Sequence, residues 1–154
     1  MRKILLAMIL FLHTGLATAE NQMPYPGTRI VDTAKPFAVF IDNLVAAIGA
    51  NKMGIVAQAC ADCGAKSIGV TIAKNRVVMI YRPDFAVRML KASVAAGIEA
   101  PLRLYVTEQT DGSARLTYRL PSSVFAVYEV RELDKMAAEL DNIVAKIVTD
   151  AMAR

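Results

Sequence analysis

Tryptophan is absent from this 154-residue chain, and histidine occurs once, at His13. Cysteine occurs twice, at Cys60 and Cys63. The eight glycines are scattered, so no glycine-rich loop is available to cradle a phosphate. Neither sign of charge dominates, with 18 Lys+Arg against 14 Asp+Glu. No internal repeat or low-complexity run appears. The apolar run at residues 4–12 falls short of the roughly 20 residues that a membrane-spanning helix needs.

That run belongs to a leader. Arg2 and Lys3 give a positive start, the apolar run follows, and Ala17-Thr18-Ala19 is a small-x-small cleavage site before Glu20. Residues 1–19 therefore read as a signal peptide of a periplasmic or secreted protein. Cleavage removes Arg2, Lys3 and His13. The mature chain of 154 − 19 = 135 residues keeps 18 − 2 = 16 basic residues against 14 acidic ones, a net charge of +2. This charge is too small to argue for nucleic acid or for an anionic membrane. Loss of the one imidazole excludes a Ser-His-Asp triad, a Cys-His pair and any histidine metal ligand. A chain of this length buries a core without needing a disulfide.

Residues 20–27 hold Pro24 and Pro26 and no periodicity, and read as a flexible tether. Residues 28–154 read as one domain. Residues 28–31 form a short strand, and Thr33 is placed to cap the next helix, with Pro36 in its first turn. Phe37, Phe40, Ile41, Leu44, Val45 and Ile48 recur at helical spacing. Residues 55–59 are a short strand, and Cys60-Ala-Asp-Cys63 leads from it into a short helix or turn. Residues 76–81 are β-branched and apolar, and a helix follows over 84–96. Prolines and glycines fall outside these elements.

Residues 102–107 and 114–120 form a hairpin around Asp111-Gly112. Leu102, Leu104 and Val106 share one face, and Arg103, Tyr105 and Thr107 share the other. Leu116, Tyr118 and Leu120 alternate in the same way with Arg115, Thr117 and Arg119. One face is core and one is solvated, which predicts an antiparallel sheet with helices on one side. Arg103, Arg115 and Arg119 line the open face as a solvated strip. Residues 121–128 start a short helical segment. The last helix spans 132–152, with Leu133, Met136, Leu140, Val144 and Ile147 on its apolar stripe. Met79, Met89 and Met136 read as core residues.

On Pro83, the strand from Ala100 to Glu108, Asp111-Gly112 and Tyr118, the chain resembles the family called domain of unknown function 302. Ala100-Pro101-Leu102-Arg103-Leu104 stands where the family has its Leu-Pro-Leu strand. Ile80-Tyr81-Arg82-Pro83 stands where it often has Phe-Gly-Asn-Pro. The resemblance covers about residues 37–128. It implies an α+β fold of TATA-box-binding-protein-like β-α-β(4)-α type, a curved antiparallel sheet with helices packed on one face. It implies no reaction. Many members carry an Ile-Asp-His-type segment after the second strand. Ala59-Cys60-Ala61-Asp62-Cys63 departs from that pattern.

Cys60 and Cys63 are the reactive constellation, and three readings of them stay open. One is a plain disulfide in an oxidising compartment. Another is a thiol-redox or sulfur-handling site, because a Cys-x-x-Cys pair opening a helix favours a thiolate. The third is a metal site. Two thiolates suit copper(I), while zinc wants four ligands, which a homodimer sharing two pairs would supply. Glu99, Glu108 and Asp111 flank the hairpin without forming a recognisable acid–base pair. No catalytic residue is assigned. The leading expectation is an exported binding or assembly module without catalysis, taking a small molecule or a protein as partner. No nucleic acid and no stable membrane insertion after leader cleavage are expected. The alternative is a periplasmic thiol protein using Cys60 and Cys63.

Overall fold

The computed structural model describes residues 20–154; the leader reading falls on residues 1–19, outside that range. Five strands form one antiparallel sheet in the order β1-β5-β4-β3-β2, not closed into a barrel. They are β1 (Thr28–Pro36), β2 (Gly54–Ala59), β3 (Asn75–Tyr81), β4 (Leu102–Glu108) and β5 (Ser113–Arg119). Helix α1 (Phe37–Ala50) connects β1 to β2, the two opposite edges. Four strand spacings cover about 19 Å, and a 14-residue helix reaches about 21 Å. A single helix laid across the sheet therefore bridges the edges. The remaining helices are α2 (Ala61–Ser67), α3 (Pro83–Ala92), α4 (Pro121–Phe125) and α5 (Arg131–Ala153).

The core lies between one sheet face and α1, α3, α4 and α5. Val78, Ile80, Leu104, Val106 and Leu116 enter it from the strands, and Phe40, Leu44, Ile48, Leu133, Leu140 and Ile147 from the helices. The alternation in β4 and β5 and the stripe of α5 therefore fall where the sequence pattern puts them. Arg88 of α3 clips that layer from outside through two hydrogen bonds to Glu139 of α5, at 2.7 and 2.6 Å.

Five local expectations are corrected. The first strand continues to Pro36, and Thr33 caps no helix. Its hydroxyl donates to the Ala114 carbonyl at 2.7 Å and accepts from the Lys35 N–H. It thereby holds a bulge in which Ala34 has φ 52° and the register slips between Asp32 and Pro36. A short polar side chain satisfies a bulge as well as a helix end, and sequence spacing does not separate the two. Pro36 is accordingly the residue before α1, outside its first turn. The helix expected over 84–96 ends at Ala92, and Gly97 lies inside a separate 3-10 turn over Ala95–Glu99. Finally, Met79 pairs with Arg103 on the face opposite the core, whereas Met89 and Met136 are buried as expected.

Candidate functional site

The last residue of β2 is Ala59, and the chain turns at once into α2, with Cys60 as its N-cap residue. The N–H of Cys63 points back at Cys60 and donates to its Sγ at 3.1 Å. This is the geometry of an N-cap in which sulfur replaces the usual side-chain oxygen. It brings the two Cα atoms to 5.3 Å, and Cys60 and Cys63 form a disulfide. Cys63 is exposed and Cys60 half-buried. None of the residues of α2 is buried, so the bridge closes one turn without stapling α2 to the core.

What fixes α2 in place is a polar clamp to β3. Asn75 donates its N–H to Asp62 Oδ1 at 3.1 Å, and its Oδ1 accepts the N–H of Ala61 at 3.2 Å. Arg76, the next residue of β3, lies with Nη1 3.8 Å from Asp62 Oδ1 and 3.5 Å from Cys63 Sγ. Asp62 Oδ1 is also 3.2 Å from Cys60 Sγ. Asp62 and Arg76 are each about one-fifth exposed, so this small network works in a partly desolvated setting where charges are felt more strongly. Sequence reasoning found both cysteines and missed Arg76 and Asn75. These residues lie more than ten positions downstream, and only the β2–β3 pairing brings them alongside.

Cys60, Cys63 and Asp62 place three donor atoms within 4.8 Å of one another. Once reduced, two thiolates and a carboxylate would suit a soft cation by donor type. The Arg76 guanidinium argues against that occupant, because it sits against one sulfur and the carboxylate and would repel a cation there. A homodimer sharing two such pairs would bring two of these guanidiniums to the metal. The donor set therefore fits copper or zinc poorly.

The three acids flanking the hairpin are separated into unrelated contacts. Glu99 accepts from the Tyr128 hydroxyl at 3.1 Å. Burial and that bond to Glu99 hold the Tyr128 hydroxyl above its ordinary value. Glu108 is paired with Lys74 at 2.9 Å, and this bond keeps its carboxyl below the usual range. Asp111 caps the hairpin turn by accepting the Ser113 N–H at 2.9 Å, and hydrogen bonding to Ser113, from its side chain first and its backbone second, lowers it likewise.

The family model described as "Domain of unknown function DUF302" matches residues 29–151. The chain belongs to this family. A crystal structure of an uncharacterized conserved DUF302 protein from Bacillus stearothermophilus superposes on it with a TM-score of 0.74. The match covers 82% of this chain and 98% of that one at 16% identity. At that identity the likeness shows the fold alone. No curated protein matches the chain. Membership in the DUF302 family thus carries the α+β fold and leaves the chemistry to be argued from this chain's own residues. Among the described residues no helix is long and apolar enough to cross a membrane.

Proposed function

We propose that this DUF302 domain is an exported thiol–disulfide module, exchanging the Cys60–Cys63 disulfide with dithiol partners in the periplasm or outside the cell. The observation that carries this reading is the position of the Arg76 guanidinium, 3.5 Å from the sulfur of the exposed cysteine. A structural bridge has no use for a cation beside it, whereas a thiolate is stabilised by one. In the exchange, a partner thiolate attacks Cys63 Sγ, the S–S bond breaks, and Cys60 leaves as thiolate toward the Cys63 N–H. The partner's second thiol, losing its proton, then attacks its own mixed-disulfide sulfur and releases Cys63 as thiolate beside Arg76. Cys60 takes up one proton and the other goes to solvent, while Cys63 stays a thiolate beside Arg76, so a dithiol is oxidised by two electrons to a disulfide as the pair is reduced. Asp62 is placed to accept the Cys60 S–H once the pair is reduced.

A redox titration against glutathione tests this. The expected midpoint lies between about −120 and −270 mV, and a value below about −300 mV would mean an inert structural bridge. Arg76→Ala should move the midpoint to a more negative value, because it removes a partner of the reduced form. Export rests on residues 1–19 and is checked by intact-mass measurement of protein recovered outside the cytoplasm, which should begin at Glu20. A mass retaining Met1 would sink it.

A second reading, a binding domain without catalysis, is favoured by a separate feature. A cleft of about 860 Å³ is lined by Arg103, Tyr105, Thr117 and Arg119 of the open sheet face and also by Leu102, Val124 and Val144 of the helix side, and it is far larger than a packing void and within the range of small-molecule sites.

A further inference from the structure

The face of the sheet turned away from the helices has a chemistry that the cysteine site does not use. Facing residues of antiparallel strands share a side. Thr28, Ile30 and Asp32 of β1 face Arg119, Thr117 and Arg115 of β5. Tyr105 and Thr107 of β4 face Thr117 and Arg115, and Met79 of β3 faces Arg103. Leu104 pairs with Tyr118, so the next residues outward, Arg103 and Arg119, stand side by side on the open face.

Like charges opposite one another on neighbouring strands repel. Arg115 is neutralised by Asp32, its Nε 2.6 Å from Oδ1. Among the described residues Arg103 and Arg119 are in no ion pair. Arg119 Nε is moreover buried and makes no hydrogen bond, a costly arrangement for a charged donor. Of the acids at the cleft, Glu99 is held by Tyr128 and Glu20 forms no ion pair with either arginine.

The roof of this pair comes from the segment before β1. Pro26 and Gly27 occupy the two central positions of a turn closed by the Thr28 N–H on the Tyr25 carbonyl at 3.2 Å. Gly27 has φ 74°, as the second central position of a type II turn demands. The Gly27 carbonyl accepts the Leu120 N–H at 2.9 Å, which pins the turn to the end of β5. Tyr25 is thereby carried over the Arg119 guanidinium, 4.9 Å from its ring centroid. Gln22 accepts from Arg115 at 3.2 Å and ties down the start of the same segment. Tyr25, Arg103, Tyr105, Thr117 and Arg119 all line the cleft.

We propose that this cleft binds a small aromatic carboxylate, its carboxylate bridging Arg103 and Arg119 and its ring lying between Tyr25 and Tyr105. The inference rests on the second reading above and gives it a ligand class. A carboxylate is matched by paired guanidiniums through charge-assisted hydrogen bonds and removes the repulsion between them. The two tyrosines offer apolar faces, Tyr105 being 41% exposed.

The test is an NMR titration of the isotope-labelled protein with benzoate, its neutral analogue benzamide, and inorganic phosphate. Benzoate is expected to shift the amides of Arg103, Tyr105, Thr117 and Arg119 saturably, with benzamide and phosphate each at least about tenfold weaker. Arg103→Gln and Arg119→Gln should each weaken benzoate by about tenfold while the remaining spectrum stays superimposable. Arg29→Gln, on the opposite side of β1, should leave it unchanged. Benzamide binding at the same amides as tightly as benzoate would overturn the anion inference while leaving the binding-domain reading standing. Phosphate binding as tightly as benzoate would overturn the aromatic half. No saturable shift with any of the three would overturn the inference, the binding-domain reading then standing or falling on ligands of other chemistry.

Discussion

Leu104→Ala tests the assignment of the sheet faces. Leu104 sits on β4, a central strand, is 1% exposed, and is flanked in register by Val78 and Tyr118. The change removes three buried carbon groups, worth about 2.4 kcal/mol at roughly 0.8 kcal/mol each. Strands on both sides keep the site from collapsing, so a cavity of about 50 Å³ remains and adds about 1.2 kcal/mol. The expected loss is about 3.5 kcal/mol, inside the range of roughly 2–5 kcal/mol for buried leucines. At about 4 °C per kcal/mol for a domain of this size, the melting temperature should fall by about 14 °C. Arg103→Ala, one residue away on the open face, should stay within about 0.5 kcal/mol of the parent. Urea melts of both variants beside the parent measure the two losses. A loss below about 1 kcal/mol for Leu104→Ala, or an equal loss for Arg103→Ala, would refute the face assignment.

Three further outcomes are expected. Reducing the Cys60–Cys63 disulfide should lower stability by about 2 kcal/mol, the loop-entropy value for so short a ring; a loss above about 4 kcal/mol in melts with and without a phosphine reductant would mean that the bridge staples more than one turn. Gly27→Ala should cost at least about 1 kcal/mol, because φ 74° disfavours a side chain and a Cβ there would collide with Ser123; a melt indistinguishable from the parent would show that the turn is not held as described. The carboxyls of Asp84 and Glu139 are lowered chiefly by hydrogen bonds from Arg82 and Arg88. Groups depressed in the folded state contribute stability above their unfolded values, and it is lost as pH falls through the folded ones. Melting temperature should therefore hold from pH 7 to about 5 and decline below about 4, with Arg88→Met showing a shallower decline in acid melts.

The residues that sequence alone placed are those whose patterns are local. Alternation along β4 and β5 marks which side chains enter the core, and the 3.6-residue stripe of α5 does the same, because each pattern repeats within one element. The Asp111-Gly112 turn is likewise legible, since one left-handed residue and one short acceptor close it. The Cys-x-x-Cys spacing alone put both sulfurs on one helical turn.

Tertiary structure decided what depends on distant neighbours. Thr33 holds a bulge because Ala114 of β5 supplies an acceptor 81 residues away. Met79 faces away from the core because its register with β4 sets it beside Arg103; a continuous apolar run such as 77–80 carries no internal mark of which face is buried. Arg76 reaches Cys63 only because β2 and β3 pair antiparallel, which returns the chain alongside α2. The adjacency of Arg103 and Arg119 is equally a product of register, since two arginines sixteen positions apart become neighbours only when the hairpin closes.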